Sequence, residues 1–303
     1  MELHHPMVRH LAWSLLSPSM ASTSSVLSLD LGDQSTLNNW LISQDQQPEL
    51  LESYVNGRNH RLLGSYFECL WSFFFEHYPT WQLLADHVQV HKETLHGKQQ
   101  TLGELDILAR SPEQDTLHVE LTVKFYLQHP QHSGEELHHW IGPQTRDRLD
   151  LKLTKLSDKQ FPFIEHPDTQ AKLIELGLDT QIQQRAVFKG YLFHQHGKPF
   201  NLPKSVTEHA LVASWCHANC TEAILSKNAN YVLLPKHEWL GTYTGQHLPV
   251  SNADEMQIEI QNHFTQSTTP YALMIAEVEQ RQEEWHERQR WLVVHNGWPN
   301  SHS

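Results

Sequence analysis

The stretch TLGELDILARSPEQDTLHVELTVKFYL, from Thr101 to Leu127, decides the fold, because it predicts two β-strands joined by a short polar loop. In the second strand apolar residues alternate with polar ones, the pattern of a strand with one buried face. The loop at residues 111–116 contains serine, proline and aspartate, which favour turns. If the hairpin closes symmetrically about this loop, Asp106 lies directly opposite Glu120.

Carboxylates that face each other across two strands destabilise a hairpin, because like charges repel. A divalent cation bound between them removes that penalty, and hard oxygen ligands suit Mg²⁺ or Mn²⁺. The pair Asp106 and Glu120 therefore predicts a metal site. The same residues also fit a simpler interpretation, in which both lie on the solvent side of an antiparallel hairpin.

A helix predicted at residues 61–77, RLLGSYFECLWSFFFEH, is apolar nearly all round, as expected of a buried helix. Glu68 lies in its one narrow polar strip, and Lys124 shares a strand face with Glu120. We expect the three acids to converge on Mg²⁺ or Mn²⁺ while the lysine positions a water and offsets transition-state charge. Alternatively, Glu68 faces solvent, and Lys124 only neutralises the acids as a cross-strand ion pair.

A second helix, predicted at residues 144–159, begins after Pro143, a residue that favours the first turn of a helix. It carries a stripe of basic residues on one face, which predicts contact with a phosphate backbone beside the acids. Such stripes are also common on solvated helix faces that bind nothing. The stripe consists of Arg148, Lys152, Lys155 and Lys159.

The order of the predicted elements is typical of an α/β core with a mixed sheet. The first helix is followed by three strands, then by the basic helix, and then by a strand at residues 186–194. The last third of the chain adds α and β elements, including helices predicted near residues 208–225 and 271–290. Two i, i+4 Glu–Arg pairs favour the second of these helices.

Composition favours a folded protein with a negative overall charge. The chain has 303 residues, of which 39% are hydrophobic and 10% aromatic, enough for a substantial core. A net charge of -13 disfavours non-specific binding to nucleic acid, so any such contact requires a local basic patch. Three cysteines and the lack of any apolar segment of about 20 residues predict a cytoplasmic protein with no membrane contact.

Four stretches of the chain carry a resemblance to a known family. They are LGSYFECLWSFF at 63–74, TLGELDILAR at 101–110, HVELTVKFYL at 118–127 and WIGPQTRDRLDLKL at 140–153. They resemble domain-of-unknown-function family 1853, a bacterial family assigned to the PD-(D/E)xK nuclease superfamily. The resemblance covers most of the chain. It implies a restriction-endonuclease-like core and Mg²⁺-dependent hydrolysis of phosphodiester bonds in nucleic acid, which we expect to be DNA.

Residue by residue, the resemblance implies that Asp106 and Glu120 bind metal, Glu68 is the accessory acid and Lys124 is the motif lysine. One departure concerns spacing. The superfamily places the second acid two residues before the lysine, where this chain has Thr122. Glu120 and Lys124 are therefore about 13 Å apart at roughly 3.3 Å per residue. Either the acid and its metal have moved by one pleat, or the site is altered and inactive.

The sequence thus leaves three classes of function open. The first is a Mg²⁺-dependent nuclease, and the second is an inactive nuclease-fold protein that binds nucleic acid or acts as a scaffold. The third is an interaction module whose basic stripe is only solvent surface. We expect an N-terminal extension packed on the core at 1–57, a nuclease-like core at 58–200, and a C-terminal α+β portion continuous with that core at 201–303.

Overall fold

The computed structural model describes residues 1–21, 28–93, 99–266 and 271–300. The chain forms two compact units, each made of segments that are not consecutive in sequence. The hairpin unit consists of Ala21–Val123 and Lys152–Lys189, and the terminal unit of Met1–Met20, Lys124–Leu151 and Gly190–Ser303. These units do not follow the division into 1–57, 58–200 and 201–303, which stays a prediction.

Four helices come before the first strand, and none of the helices in the described residues is long and apolar enough to cross a membrane. The helices are α1 (Pro6–Leu16), α2 (Gln34–Gln46), α3 (Glu49–Asn56), α4 (Leu63–His77), α5 (Leu149–Lys155), α6 (Pro167–Glu175) and α7 (Ala253–Gln266). The strands are β1 (Gln82–Glu93), β2 (Gln99–Arg110), β3 (Thr116–Gln128), β4 (Trp140–Ile141), β5 (Gln183–Gln195), β6 (Val212–His217), β7 (Asn230–Leu234), β8 (Thr244–Gly245), β9 (Val250–Asn252), β10 (Leu273–Arg281) and β11 (Glu284–Val294).

Helix α4 is the apolar centre of the hairpin unit and confirms the helix predicted at 61–77. Its aromatic side chains are buried on nearly every side, and the ring of Phe74 stacks on Tyr78 with 4.9 Å between centroids. Burying one such side chain contributes about 1.5–3 kcal/mol. Glu68, which is half-buried, therefore projects from a helix that the surrounding core holds firmly.

Strands β1, β2 and β3 form the antiparallel meander of the hairpin unit. The register of β2 and β3 begins at Ile107 with Val119, and continuing it by one residue sets Asp106 opposite Glu120. Every residue from Leu117 to Thr122 is buried, so both faces of this part of β3 are covered. Glu120 accordingly lies in the interior of the protein and not on the exposed face of a hairpin.

A small apolar cluster anchors β1 and β2, and it includes helix α6, which the sequence analysis did not predict. Gly103 on β2 permits the close approach, because a Cβ atom there would lie 2.8 Å from the ring of Phe163. The buried members of the cluster are Val88, Leu105, Leu108, Ile164 and Leu173.

The terminal unit is built on a mixed sheet, which confirms the predicted α/β class. Strand β6 is parallel to β5 and to β11, whereas β11, β10, β7 and β9 pair antiparallel in that order. Helix α7 covers this sheet through a buried cluster that includes Met256, Ile260, Ile275 and Trp291. The predicted order of helix, three strands, helix and strand is present as α4, β1, β2, β3, α5 and β5.

Two helices predicted in the last third of the chain are wrong. Residues 208–225 contain β6 and a 3-10 turn, and residues 271–290 lie largely in the hairpin of β10 and β11. In this hairpin Arg288 reaches back across the turn instead of pairing with the glutamate four residues before it. Its guanidinium nitrogens lie 3.8 Å from Glu277 and 3.5 Å from Glu279. Strand pairing that buries Ile275 against Trp291 outweighs helix propensity here.

Replacing Gly190 with alanine should destabilise the protein. Gly190 has a φ of +141°, and a Cβ atom there would lie 1.7 Å from the carbonyl oxygen of Lys124. We expect the melting temperature to fall by at least about 4 °C, since such overpacking involves backbone on both sides. Gly64→Ala is the matched control, because nothing lies within 4 Å of its Cβ position. Equal melting temperatures for the two variants, measured by circular dichroism, would contradict the close approach.

Candidate functional site

Asp106 and Glu120 bring their carboxyl groups together, as the hairpin register requires. The two side chains lie close enough for the charge of Asp106 to raise the pKa of Glu120. The Oδ2 atom of Asp106 also accepts a hydrogen bond of 2.8 Å from the backbone N–H of Leu121. Glu120 is only 3% exposed. The structure therefore places this pair together, as the sequence predicts, and in a largely buried setting.

Burial and mutual repulsion keep a proton on this pair of acids. Burial, followed by the neighbouring charge of Asp106, raises the pKa of Glu120 to about 8. Burial likewise raises the pKa of Asp106 above its ordinary value. The two carboxyl groups therefore share a proton near neutral pH when no metal is bound. A bound divalent cation would take the place of that proton.

Glu68, on α4, lies near Asp106, and His87 contacts Glu68 and Glu104. Burial, then the charge of Asp106, raises the pKa of Glu68 to about 6. The Nδ1 atom of His87 lies 3.0 Å from Glu104 Oε1 and 3.9 Å from Glu68 Oε2. The group formed by Glu68, Glu104, Asp106 and Glu120, called the acid cluster below, lies wholly within the hairpin unit.

His87 is a functional candidate that the sequence analysis missed. Its φ is +50°, a conformation that costs a non-glycine residue of order 1–3 kcal/mol and often marks functional sites. The register of β1 and β2 pairs Asp86 with Ile107 and Val88 with Leu105, which puts His87 opposite Asp106. Because the chain has 24 histidines, no local pattern distinguishes this one in the sequence.

The predicted basic helix at 144–159 is wrong in extent. Helix α5 covers only Leu149–Lys155, and a π-helical turn follows at Leu156–Gln160. Before the helix the chain is held in a turn, in which the N–H of Gly142 donates to the carbonyl of Asp147 over 2.8 Å. Local backbone bonds of this kind decide where a helix begins, and the basic stripe alone does not indicate them.

The four basic residues of the stripe therefore have different surroundings. In the terminal unit, Arg148 binds the carboxylate of Asp150 through two contacts of 2.6 and 2.8 Å. In the hairpin unit, Lys152 is half-buried, and its charge acts on Glu68, Asp106 and Glu120. The remaining two, Lys155 and Lys159, are exposed, and the charge of Lys155 also acts on Glu120.

Lys124 has a carboxylate partner outside the acid cluster. Its Nζ atom lies 2.7 Å from Asp147 Oδ2, and the hydroxyl of Tyr126 donates to Oδ1 of the same carboxylate over 3.4 Å. Lys124, Tyr126 and Asp147 all belong to the terminal unit, whereas the acid cluster belongs to the hairpin unit. The structure thus groups Glu68, Asp106 and Glu120 and engages Lys124 elsewhere.

A metal shell made of three protein ligands is not present among the described residues, since no group of three His, Cys, Asp or Glu side chains there is arranged to hold a metal ion. The binding of a metal by Glu68, Asp106 and Glu120 together stays a prediction. Mg²⁺ needs fewer, because it is commonly bound through one or two carboxylates and keeps several waters. Asp106 and Glu120 fit this smaller requirement, with Glu68 placed to act through water.

Comparison with known proteins gives one match. A family model described as a domain of unknown function, DUF1853, matches residues 9–294, which is nearly the whole chain. No curated protein and no solved structure matches the chain. The match shows the family to which these residues belong, and it names no chemistry for them.

Replacing Glu120 with glutamine should stabilise the metal-free protein at high pH. A carboxyl group whose pKa is raised on folding stabilises the folded state at low pH, and that stabilisation is lost as pH rises through about 8. Glutamine resembles the neutral acid, so the melting temperature of Glu120→Gln should exceed that of wild type by at least about 2–4 °C at pH 9. The difference should shrink towards pH 5.

The measurement is a series of circular dichroism melts between pH 5 and 9 in the presence of EDTA. Glu113→Gln is the matched control, because Glu113 is an exposed acid in the loop between β2 and β3. A difference between Glu120→Gln and wild type that does not vary with pH would mean that Glu120 ionises normally.

Proposed function

We propose a function for this chain, which belongs to the DUF1853 family: it is a metal-dependent nuclease that hydrolyses phosphodiester bonds in nucleic acid. The observation that carries this proposal is that the hairpin brings Asp106 and Glu120 together, with Glu120 buried and its pKa raised by burial and by the charge of Asp106. Two buried acids that favour a proton near neutral pH are suited to bind a cation, because the cation can replace that proton. Half-buried Lys152 supplies a positive charge beside them.

The chemistry follows from the donors that the chain provides. Asp106 and Glu120 would hold Mg²⁺ or Mn²⁺, because these cations prefer carboxylate oxygens and few protein ligands. When bound, such an ion polarises a phosphate oxygen and makes a coordinated water more acidic. Glu68 is placed to orient a water beside the pair. Hydrolysis then forms one P–O bond to the water oxygen and breaks one P–O ester bond, with a proton passing to the leaving alcohol.

The order of elements supports placing this site in the PD-(D/E)xK nuclease superfamily. A buried helix that carries Glu68 precedes a meander that carries Asp106 and Glu120, and a helix and a further strand follow. This order is the one expected of a restriction-endonuclease-like core. In this proposal Asp106 is the first metal-binding acid and Glu120 is the second.

Nucleic acid, and DNA in particular, is the substrate that we propose, and a local group of lysines supports it. The chain as a whole is acidic, so attraction of a polyanion requires a local cluster of positive charge. Two exposed lysines, Lys155 and Lys159, follow Lys152 along the chain and would provide contacts to a phosphate backbone. Contacts of this type position the substrate and carry no sequence preference.

A second candidate is a nuclease-fold protein that binds nucleic acid without cleaving it. The observation that favours it is the ion pair of Lys124 with Asp147, which engages the lysine of the strand motif. Thr122, at the usual position of the second acid, points in the same direction. Cleavage assays separate the two candidates, because both bind nucleic acid and only the first one turns it over.

Binding of Mn²⁺ should stabilise the protein through Asp106. At a Mn²⁺ concentration about 100 times the dissociation constant, binding adds roughly 2.7 kcal/mol to the free energy of unfolding. The melting temperature of wild type should rise by several degrees, and that of Asp106→Asn should not. Asp115→Asn, in the exposed loop before β3, should behave as wild type. A shift that survives Asp106→Asn would place the metal elsewhere.

Cleavage itself should depend on Mn²⁺ and on Asp106. The substrates are fluorescent single-stranded, duplex and branched DNA and a matched RNA, incubated with purified protein. We expect wild type and Asp115→Asn to cleave at least one substrate, and Asp106→Asn to be slower by about 100-fold or more. If wild type cleaves none of them, the non-catalytic candidate replaces the nuclease. Binding that does not weaken with salt would then argue against nucleic acid altogether.

A further inference from the structure

His118 lies beside Glu120 in the interior of the hairpin unit. The two residues are two positions apart on β3, so their side chains leave the same face of the strand. The Nε2 atom of His118 is 3.7 Å from the Oε2 atom of Glu120, and both side chains are buried. The partner of His118 on β2 is Leu108, an apolar residue that offers the ring no hydrogen bond. Glu120 is thus a carboxylate within reach of a buried imidazole.

The imidazole of His118 is a buried polar group without a hydrogen bond in the described part of the chain. Neither Nδ1 nor Nε2 forms one, although the residue is fully buried. Gln184, which is close enough to act on this ring, also leaves its Oε1 atom without a hydrogen bond there. The large majority of buried side-chain polar atoms have a partner, so this ring calls for an explanation other than packing.

An apolar side chain would serve packing at least as well at this position. The neighbours of His118 along β3, Leu117 and Val119, are buried and apolar. A leucine in place of the imidazole would bring no polar atoms into the interior, so the cost of desolvating the ring would disappear. The chain instead has a polar ring 3.7 Å from a proposed metal ligand. Carboxylates that bind metal are themselves usually held by hydrogen bonds from surrounding groups.

We infer that His118 is a positioning residue, which donates a hydrogen bond from Nε2 to Glu120 when that carboxylate binds a divalent cation. This inference rests on the metal site of the proposed nuclease. An ionised carboxylate only accepts hydrogen bonds, and it accepts stronger and shorter ones than a neutral acid does. Such a bond has an N···O distance of roughly 2.7–2.9 Å, so the two side chains need to approach by about 1 Å.

This bond leaves Oε1 of Glu120 available for the cation and fixes the direction in which the carboxylate points. The imidazole itself stays outside the set of metal ligands. That arrangement agrees with the described residues, in which no group of three His, Cys, Asp or Glu side chains is arranged around one ion. A hydrogen bond of this kind typically changes metal affinity by about 10- to 100-fold, because it orients the ligand and makes it a better donor.

The test is the binding of Mn²⁺ to the purified full chain at neutral pH, measured by isothermal titration calorimetry. His118→Leu should raise the dissociation constant by about 10- to 100-fold. His118→Gln, whose amide keeps an N–H donor, should stay within about 3-fold of wild type. His91→Leu is the matched control, because His91 is an exposed histidine on β1, and it should bind Mn²⁺ as wild type does.

Two further measurements distinguish positioning from packing and from direct ligation. In EDTA, the melting temperature of His118→Leu should lie no more than about 2 °C below that of wild type, because leucine leaves no polar atom buried. Binding of Mg²⁺ should weaken by the same factor as binding of Mn²⁺, because the hydrogen bond acts on the carboxylate. A directly bound imidazole would favour the transition metal instead.

Three results would overturn the inference. The first is a folded His118→Leu, or a folded His118→Met, that binds Mn²⁺ as tightly as wild type. The second is a loss confined to Mn²⁺ that His118→Gln does not recover, which would make the ring a metal ligand. The third is a melting temperature that falls by many degrees in both apolar variants while their Mn²⁺ affinity is unchanged, which would make His118 a packing residue.

Failure of this inference and failure of the proposed function give different results. If wild type binds Mn²⁺ through Asp106 and His118→Leu binds it equally well, the inference is wrong and the metal site stands. If wild type binds neither Mn²⁺ nor Mg²⁺, the metal site and the role of His118 are both wrong. If the binding results are as expected and wild type cleaves no substrate, the role of His118 stands and the non-catalytic candidate replaces the nuclease.

Discussion

The contact between two acids inside the hairpin unit is the constraint on which the site depends. The register of β2 and β3 sets Asp106 against Glu120, and the packing of both strand faces takes Glu120 out of water. Coulomb repulsion grows as the local dielectric falls, so the pair is unfavourable as two anions. Burial and the neighbouring charge therefore favour a proton on this pair. A sheet selected only for stability would place an apolar pair at this position.

Other features around the pair reduce the same unfavourable charge. Lys152 brings a positive charge from α5, and His87 bridges towards Glu68 and Glu104 from β1. The backbone of His87 adopts a strained left-handed conformation opposite Asp106, so local stability is given up at this point as well. Strain, buried charge and a π-helical turn occur in one unit of the protein, which is the pattern expected of a functional site.

What the sequence predicted correctly is what short-range physics determines. The alternation in Thr116–Gln128 and the turn before it set the hairpin register, and that register alone is enough to pair Asp106 with Glu120. The aromatic run of α4 predicts a buried helix for the same reason. The hairpin of β10 and β11 was predicted as a helix from Glu–Arg pairs four residues apart, whereas in the hairpin Arg288 lies near Glu277 and Glu279 instead. Only pairing with distant strands such as β7 decides between them.

The role of lysine illustrates the limit of reasoning from a motif. A motif fixes residues by their spacing along one strand, whereas electrostatic stabilisation depends only on where the charge lies in space. On β3, Lys124 is four residues from Glu120, and its ammonium group contacts Asp147. The charge of Lys152, on α5, acts on Glu120 as well. A pattern along one strand therefore does not include every charge that acts on the acids.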